Sequence, residues 1–418
     1  MKKVLFIQHA TAFGGSAMSL LYTLQGIRKA EGESYKLVVA LAKWTNVLDN
    51  FYSSYGFEVV QTEWIDTYEH TQAVSYSLFN PIGLFKEIKQ NLNLLKARRN
   101  TRKLIEEVNP DIVHLNSIVL LGSAIEISQM GIPLVWHIRE PSVKGLLGFR
   151  RNRIINTLKD LTFNLIFICK ADKISWGNPL NGDVVYNFID FENFKPIIHK
   201  NNNLQINKND NMFFVLFLGG VNKIKGTIIM LKAFNLFKKN NPYSIVKLIF
   251  AGGKYEKPNY FIYKIITKIL PFFGLGTYSQ NVERVIKKLN LEEDLIRVPF
   301  INNVAELFSI SDVLVFPSIR PHFARPIIEA GAMSLPVIGS DLGGVSELVQ
   351  NGQNGYLTKP RDYVEIANRL NDLLNDQKKC RILGENGYQK AIKSFNQKNN
   401  VLHILRIYKN ISEIHVRK

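Results

Sequence analysis

The chain has 418 residues, 46% of them hydrophobic and 21% charged, with 27 Gly and 15 Pro. That composition excludes a disordered, collagenous or disulfide-scaffold protein, and at roughly 100 to 200 residues per domain it predicts two or three domains. Residues 1–200 hold 23 Lys and Arg against 18 Asp and Glu, and residues 201–418 hold 30 against 17, so the second half carries +13 of a formal +18; such a balance points to polyanionic partners, whether nucleotide phosphates, anionic lipid or nucleic acid.

The start, MKKVLFIQHATAFGG, has a basic tip but only four consecutive apolar residues before Gln8 and His9, which predicts no secretory signal. Short β-branched runs then alternate with longer amphipathic stretches: VLFIQ at 4–8, KLVVALA at 36–42, DIVHLN at 111–116, PLVWHI at 133–138 and LIFIC at 165–169. This alternation predicts parallel sheet with helices on both faces. Between VLFIQ and its helix lie Gly14 and Gly15, which would let backbone N–H groups approach a phosphate at the helix start; a tight turn without ligand is the plainer alternative. Residues 79–103, ending in KARRNTRK, depart from the ordinary pattern. PLVWHIREPS ends its strand with His137, Arg139 and Glu140; alternation puts His137 and Arg139 on one side, although a strand-end histidine is more often structural. His9, His70, His114 and His403 are read as structural. Cys169 and Cys380 are the sole cysteines and form no CxxC pair, which favours a reducing compartment, the cytoplasm, and no thiolate metal site.

After VVYNFIDFENFKP (184–196) the polar stretch 197–211 is the expected linker between an N-terminal domain, 1–196, and a second domain, 212–395. MFFVLFLGG (212–220) restarts the alternation, which continues through SIVKLIFAGG, DLIRVPF, SDVLVFPS and LPVIGSD. Gly219 and Gly220 end the first of these strands, and Lys225 with Gly226 opens the next helix, so a glycine pair, a cation and a helix start converge on one anion site. Residues 259–278, NYFIYKIITKILPFFGLGTY, mix aromatics, isoleucines and lysines; within 201–290 there are 14 Lys and Arg against three acidic residues. Two readings stay open, a solvated basic face over a small satellite core and an interfacial element touching anionic lipid. In the tract from Ser311 to Leu357, a strand ends at Pro317, a helix runs from Arg325 to Met333 with Glu329 one turn inside, and Gly343 and Gly344 lead into another helix. Glu329 is either a solvated helix residue or a carboxylate that takes hydrogen bonds from ribose hydroxyls. The segment 396–418, apolar at 401, 402, 404, 405, 407, 408, 411 and 414, is expected to form a terminal helix packing back on the N-terminal domain. No run of about 18 apolar residues occurs.

Taken in order, GG at 14–15, VVYNFID at 184–190, GGVNKIKG, VPFINNVAELFSISDVLVFPS and ARPIIEAGAMSLPVIGSDLGGVSELVQNGQNGYL make the chain resemble the retaining glycosyltransferases of family GT4. The resemblance implies an α/β protein of the GT-B fold, two Rossmann-like doubly wound domains facing a central cleft. It implies sugar transfer from a nucleotide diphosphate sugar to a glycan or lipid-linked glycan, with retention, no bound metal and no cofactor, in polysaccharide or cell-envelope glycan assembly. On that basis Lys225 holds the pyrophosphate, Glu329 the ribose, and the backbone at Phe300 and Ile301 the base. The glycine loops at Gly14, Gly15, Gly219 and Gly220 and the segment His322, Phe323, Ala324 and Arg325 complete the donor site, while Arg139 and Glu140, with His137 as a second candidate, take the place of the family's acceptor-side His-Asp pair. Two positions depart from the family: Gly220 stands where an arginine is usual, with Lys223 or Arg325 to compensate, and Pro321 stands where a first glutamate is usual. Rival readings are a sugar-nucleotide epimerase of the same architecture and a nucleic-acid-binding protein; no RRM, KH or helix-turn-helix pattern accompanies the basic excess, so a nucleic-acid partner is not expected.

Overall fold

The computed structural model describes residues 1–69, 81–144, 148–160, 164–189, 191, 194, 206, 208–209, 211–253, 277–299, 301 and 304–416. Most of the 197–211 linker, nearly all of 259–278, His70 and Phe300 lie outside them. The chain divides into two compact units, Met1–Asp190 with Phe395–Lys418, and Phe191–Ser394.

Unit 1 is built on a parallel sheet of β1 (Lys2–Gln8), β2 (Tyr35–Leu41), β3 (Glu58–Val60), β4 (Ile112–Leu115), β5 (Leu134–Ile138), β6 (Asn164–Phe167) and β7 (Gly182–Val184). The strand order is β3-β2-β1-β4-β5-β6-β7, and every pairing is parallel. The central strands are buried on both faces, which is why they read as continuous apolar runs without alternation. One face packs against helices Pro81–Val108 and Leu121–Gln129 around Leu5, Val113 and Trp136. The other packs against Gly15–Glu31 and Gln397–Val416 around Phe6, Leu24, Val401 and Tyr408. The last two helices meet closely: a Cβ built at Gly26 would stand 2.4 Å from Val401 Cγ2, and Gln397 Nε2 donates to the Tyr22 carbonyl at 2.8 Å.

Unit 2 repeats the plan with β8 (Met212–Phe217), β9 (Ile245–Gly253), β10 (Leu295–Pro299), β11 (Val313–Phe316), β12 (Val337–Ser340) and β13 (Gly355–Thr358), again all parallel, in the order β10-β9-β8-β11-β12-β13. In each unit the strand order reverses once, between β1 and β4 and between β8 and β11. Doubly wound sheets bind ligands outside the carboxyl ends of the strands at that switch point. The loops after β8 and β11, and after β1 and β4, are therefore where chemistry is to be sought.

Candidate active site

In unit 2 the loop after β8 carries Gly219 to Gly226 into helix Thr227–Asn240. Asn222 Oδ1 accepts from the N–H groups of Ile224 and Lys225 at 2.9 and 3.3 Å, folding the loop back on itself. Thr227 Oγ1, at 2.7 Å from the Gly220 carbonyl, ties the loop to the first helical turn. Gly226 is the N-cap at φ 78°, and a Cβ there would lie 1.9 Å from the Pro317 carbonyl oxygen. No larger residue fits, so the loop after β8 rests directly on the loop after β11, joined also by Ile319 N–H to the Ile224 carbonyl at 2.9 Å. Gly220 sits at φ 53°, in the left-handed region, where an arginine would be strained; this is the physical setting of that departure from the family pattern.

The loop after β11 leads to helix Arg325–Ala332. Its turn at Pro321 to Phe323 lies against the glycine pair that precedes helix Gly344–Leu348: a Cβ at Gly343 would stand 2.9 Å from Pro321 Cβ, and one at Gly344 3.0 Å from Phe323 Cα. Phe323 and Ala324 are buried. Glu329 is buried too, one turn along the helix, with Arg325 Nη1 at 3.8 Å from its Oε1. Burial raises the Glu329 pKa, opposed first by Arg325 and then by Lys225. Burial lowers the Lys225 pKa, opposed by Glu329. His322 keeps an exposed face and stacks on Phe316 with ring centroids 5.9 Å apart; the dense protein around its imidazole, and then the Lys225 charge, pull its pKa down to about 4. His322, Lys225, Arg325 and Glu329 thus lie within electrostatic reach of one another at the switch point. Lys223 is exposed on the same loop, and Ile301 is half-buried after β10.

In unit 1, Gly14 is the N-cap of helix Gly15–Glu31 in extended backbone at φ 171°. A Cβ at either Gly14 or Gly15 would meet nothing within 4 Å. Neither conformation nor packing within the chain demands glycine at these positions. β5 ends in Arg139 and Glu140. Glu140 turns back into the protein, accepting from Ser117 Oγ at 2.6 Å, Ile118 N–H at 3.1 Å and Arg139 N–H at 3.2 Å. Trp136 and Trp176 brace the same corner through indole N–H bonds to the carbonyls of Ser117 and Glu140 at 2.7 and 2.9 Å.

Three of the side chains that hold Arg139 are Asn116, Asn187 and His137. Nε donates to Asn116 Oδ1 at 2.7 Å, Nη1 to Asn187 Oδ1 at 2.7 Å, and Nη2 to His137 Nδ1 at 3.3 Å. A guanidinium only donates, so His137 Nδ1 is an acceptor. His114 Nε2, 3.2 Å from that nitrogen, must then carry its proton, and His114 Nδ1 accepts from the Tyr408 hydroxyl at 2.7 Å. The direction of the whole chain of bonds follows from the arginine at its end. Burial, then the Arg139 charge, lowers the His114 pKa to about 3 and holds His137 well below its usual value. Both imidazoles are neutral, and the His137 Nε2–H is buried without a hydrogen-bond partner among the described residues. His9 faces the same corner, its pKa lowered by burial, with Glu140 opposing and Arg139 adding to the shift. His403 pairs with Asp183 at 3.5 Å.

The sequence picked out Arg139, His137 and Glu140 but not Asn116, Asn187, His114 or Tyr408 as their partners. Asn187 lies in the VVYNFID motif and carried that one local signal; Tyr408 stands 294 positions from His114 and carried none. Among the described residues no group of three or more His, Cys, Asp or Glu could hold a metal ion, and no helix is long and apolar enough to cross a membrane.

The family model for glycosyl transferases group 1 matches residues 199–390, the span that carries both loops of unit 2. The chain is 29% identical over 151 residues to the N-acetyl-alpha-D-glucosaminyl L-malate synthase of Bacillus anthracis, covering 35% of this chain and 40% of that one. It is 25% identical over 364 residues to an uncharacterized glycosyltransferase of Methanocaldococcus jannaschii, covering 83% of this chain and 89% of the relative. In three Bacillus relatives, the malate synthase included, the matched stretch is between 38 and 48% of the relative's own length. The structure of Anabaena HepE in complex with UDP-glucose superposes with a TM-score of 0.73 at 19% identity, covering 99% of this chain and 100% of HepE. Two Rossmann-like units and a superposition that spans the whole chain give the GT-B fold, and residues 199–390, most of the second unit, are similar to the group 1 glycosyl transferases.

Proposed function

We propose that this protein transfers a sugar from a nucleoside diphosphate sugar to a glycan or lipid-linked glycan acceptor, retaining the anomeric configuration, in the assembly of a polysaccharide or cell-envelope glycan. The observation that carries the reading is the group Lys225, Arg325 and Glu329 at the β8/β11 switch point. HepE, crystallised with UDP-glucose, supports the donor class.

Transfer breaks the bond between the anomeric carbon and a β-phosphate oxygen, and charge accumulates on the departing diphosphate. Fixed positive charge aimed at that point lowers the barrier without reorganisation. In this reading Lys225 supplies it, with Arg325 in the role that the family's missing arginine at position 220 would fill. A diphosphate beside Lys225 would also reverse the lowering of its pKa. Glu329, whose carboxylate form the same two cations favour against burial, accepts two ribose hydroxyls, with the loop at Phe300 and Ile301 against the base. His322 and the N–H groups of 323–325 meet the sugar in place of the glutamate that Pro321 replaces. The open glycines Gly14 and Gly15 leave room for phosphate, and Arg139 with the His137 Nε2–H stands on the acceptor side. The acceptor hydroxyl's proton passes to the leaving phosphate oxygen, so no protein base and no metal is required. The work is placed in the cytoplasm, at the inner face of a membrane where the acceptor is lipid-linked.

The test is Lys225→Ala, which should lower turnover by about 10²-fold or more, the usual cost of removing one preorganised charge-stabilising donor. Wild-type turnover in this variant would overturn the assignment. Nucleotide release that requires acceptor separates transfer from an epimerase, which acts on the donor alone.

A further inference from the structure

Helix Pro81–Val108 buries one row and leaves the opposite one uncovered. Gln90, Leu94, Ala97, Thr101 and Leu104 face inward, and a Cβ at Gly122 would stand 2.9 Å from Ala97 Cβ, so helix Leu121–Gln129 lies tight against that row. On the outward side Ile88, Leu92 and Leu95 are 54, 62 and 61% exposed. Their spacing, four and then three residues, puts them in a single stripe. A helix face meant for water would carry polar residues there; isolated exposed leucines are ordinary, but an aligned row of three is not.

The charges beside this row are of one sign. Between positions 86 and 103 the sequence has Lys86, Lys89, Lys96, Arg98, Arg99, Arg102 and Lys103 against Glu87 alone. Arg98 and Arg102 are engaged with Glu126 at 2.8 and 2.5 Å, and Lys103 with Glu63 at 2.6 Å. Lys89, Lys96 and Arg99 are exposed, flanking the aliphatic stripe and its continuation.

We propose that this face docks unit 1 on an anionic bilayer, the helix lying in the interfacial plane with Ile88, Leu92 and Leu95 below the phosphate level and Lys89, Lys96 and Arg99 among the headgroups. Long cationic side chains reach sideways to phosphates while aliphatic ones enter the acyl boundary. The charge selects the occupant: a second copy of the same face would set these cations against each other, whereas an anionic surface concentrates them. The inference goes beyond sugar transfer and rests on none of the residues assigned to it.

Co-sedimentation with vesicles tests it. The full chain should bind vesicles of phosphatidylcholine with about one third phosphatidylglycerol, bind phosphatidylcholine alone weakly, and lose binding as salt rises. The variant Ile88→Ser, Leu92→Ser, Leu95→Ser changes exposed positions only, so it should melt as the wild type does and keep the thermal shift given by a nucleoside diphosphate, while its vesicle partition falls at least about tenfold. Lys89→Glu with Lys96→Glu and Arg99→Glu should abolish the preference for the anionic lipid. Undiminished binding by the serine variant, or concentration-dependent dimerisation of the wild type that the serine variant loses while vesicles bind neither, would overturn the proposal. The nucleotide shift in the same samples reads the donor site separately, so failure of membrane docking and failure of the transferase assignment give different results.

Discussion

Lys225 and His114 show two ways in which burial sets the state of a single residue. Lys225 is an ammonium that its surroundings disfavour and Glu329 sustains, so Glu329→Gln should weaken the cation's hold on a diphosphate as well as the grip on ribose; a higher KM for donor with a smaller change in kcat would register it, and an unchanged KM would contradict it. His114 is kept neutral. Unfolded, it takes up a proton near pH 6.5; folded, only near about 3. Between these values the unfolded chain binds more protons, so stability is full above about pH 6.5 and is lost on acidification, at about 1.4 kcal/mol per pH unit for one such group. His137 acts in the same direction. Urea midpoints measured at several pH values between about 4.5 and 7 should show this slope, and His114→Asn should reduce it by about one proton; an undiminished slope would mean that His114 titrates normally in the fold.

At the level of elements, the sequence marked the central strands well and the edge strands β3, β7 and β13 poorly. β1, β2, β4, β5, β8, β9, β11 and β12 each coincide with an apolar run, because strands covered on both faces must be apolar throughout. With three residues in β3 and β7, Gly182 and Asp183 in the latter, and Gly355 opening β13, neither period nor composition distinguishes a strand from a loop. The candidate site divides the same way. Lys225 and Glu329 stand beside glycine pairs and helix starts that are local in sequence, whereas the contacts of Arg139 are brought together by the sheet order and by a helix from the far end of the chain. That helix is more than a cover. Tyr408→Phe removes the hydroxyl that donates to His114, and an unsatisfied buried acceptor costs about 1 to 3 kcal/mol. The variant should melt earlier by that amount and keep the nucleotide response of unit 2 intact; a neutral effect would show that the relay carries no stability.

For the whole molecule, the charge excess resolves into separate places: the cations of the unit 2 switch point, the stripe on helix Pro81–Val108, and the stretch 259–278 outside the described residues. Thermal-shift measurements with UDP, GDP, ADP and CDP should pick out one base, since a ligand at 100 times its Kd stabilises by about 2.7 kcal/mol. Turnover should persist in EDTA; loss of activity restored by Mg²⁺ or Mn²⁺ would show that charge stabilisation by Lys225 and Arg325 is insufficient.

Unit 1 is closed by a helix that the chain reaches only after unit 2 is finished. During synthesis, until Val401, Ile404 and Tyr408 are made, the face of the first sheet around Phe6 and Leu24 stays open to water. The usual order, amino-terminal domain first, is thereby denied to unit 1: it must wait, with an apolar surface for chaperones to guard, until the helix Gln397–Val416 emerges.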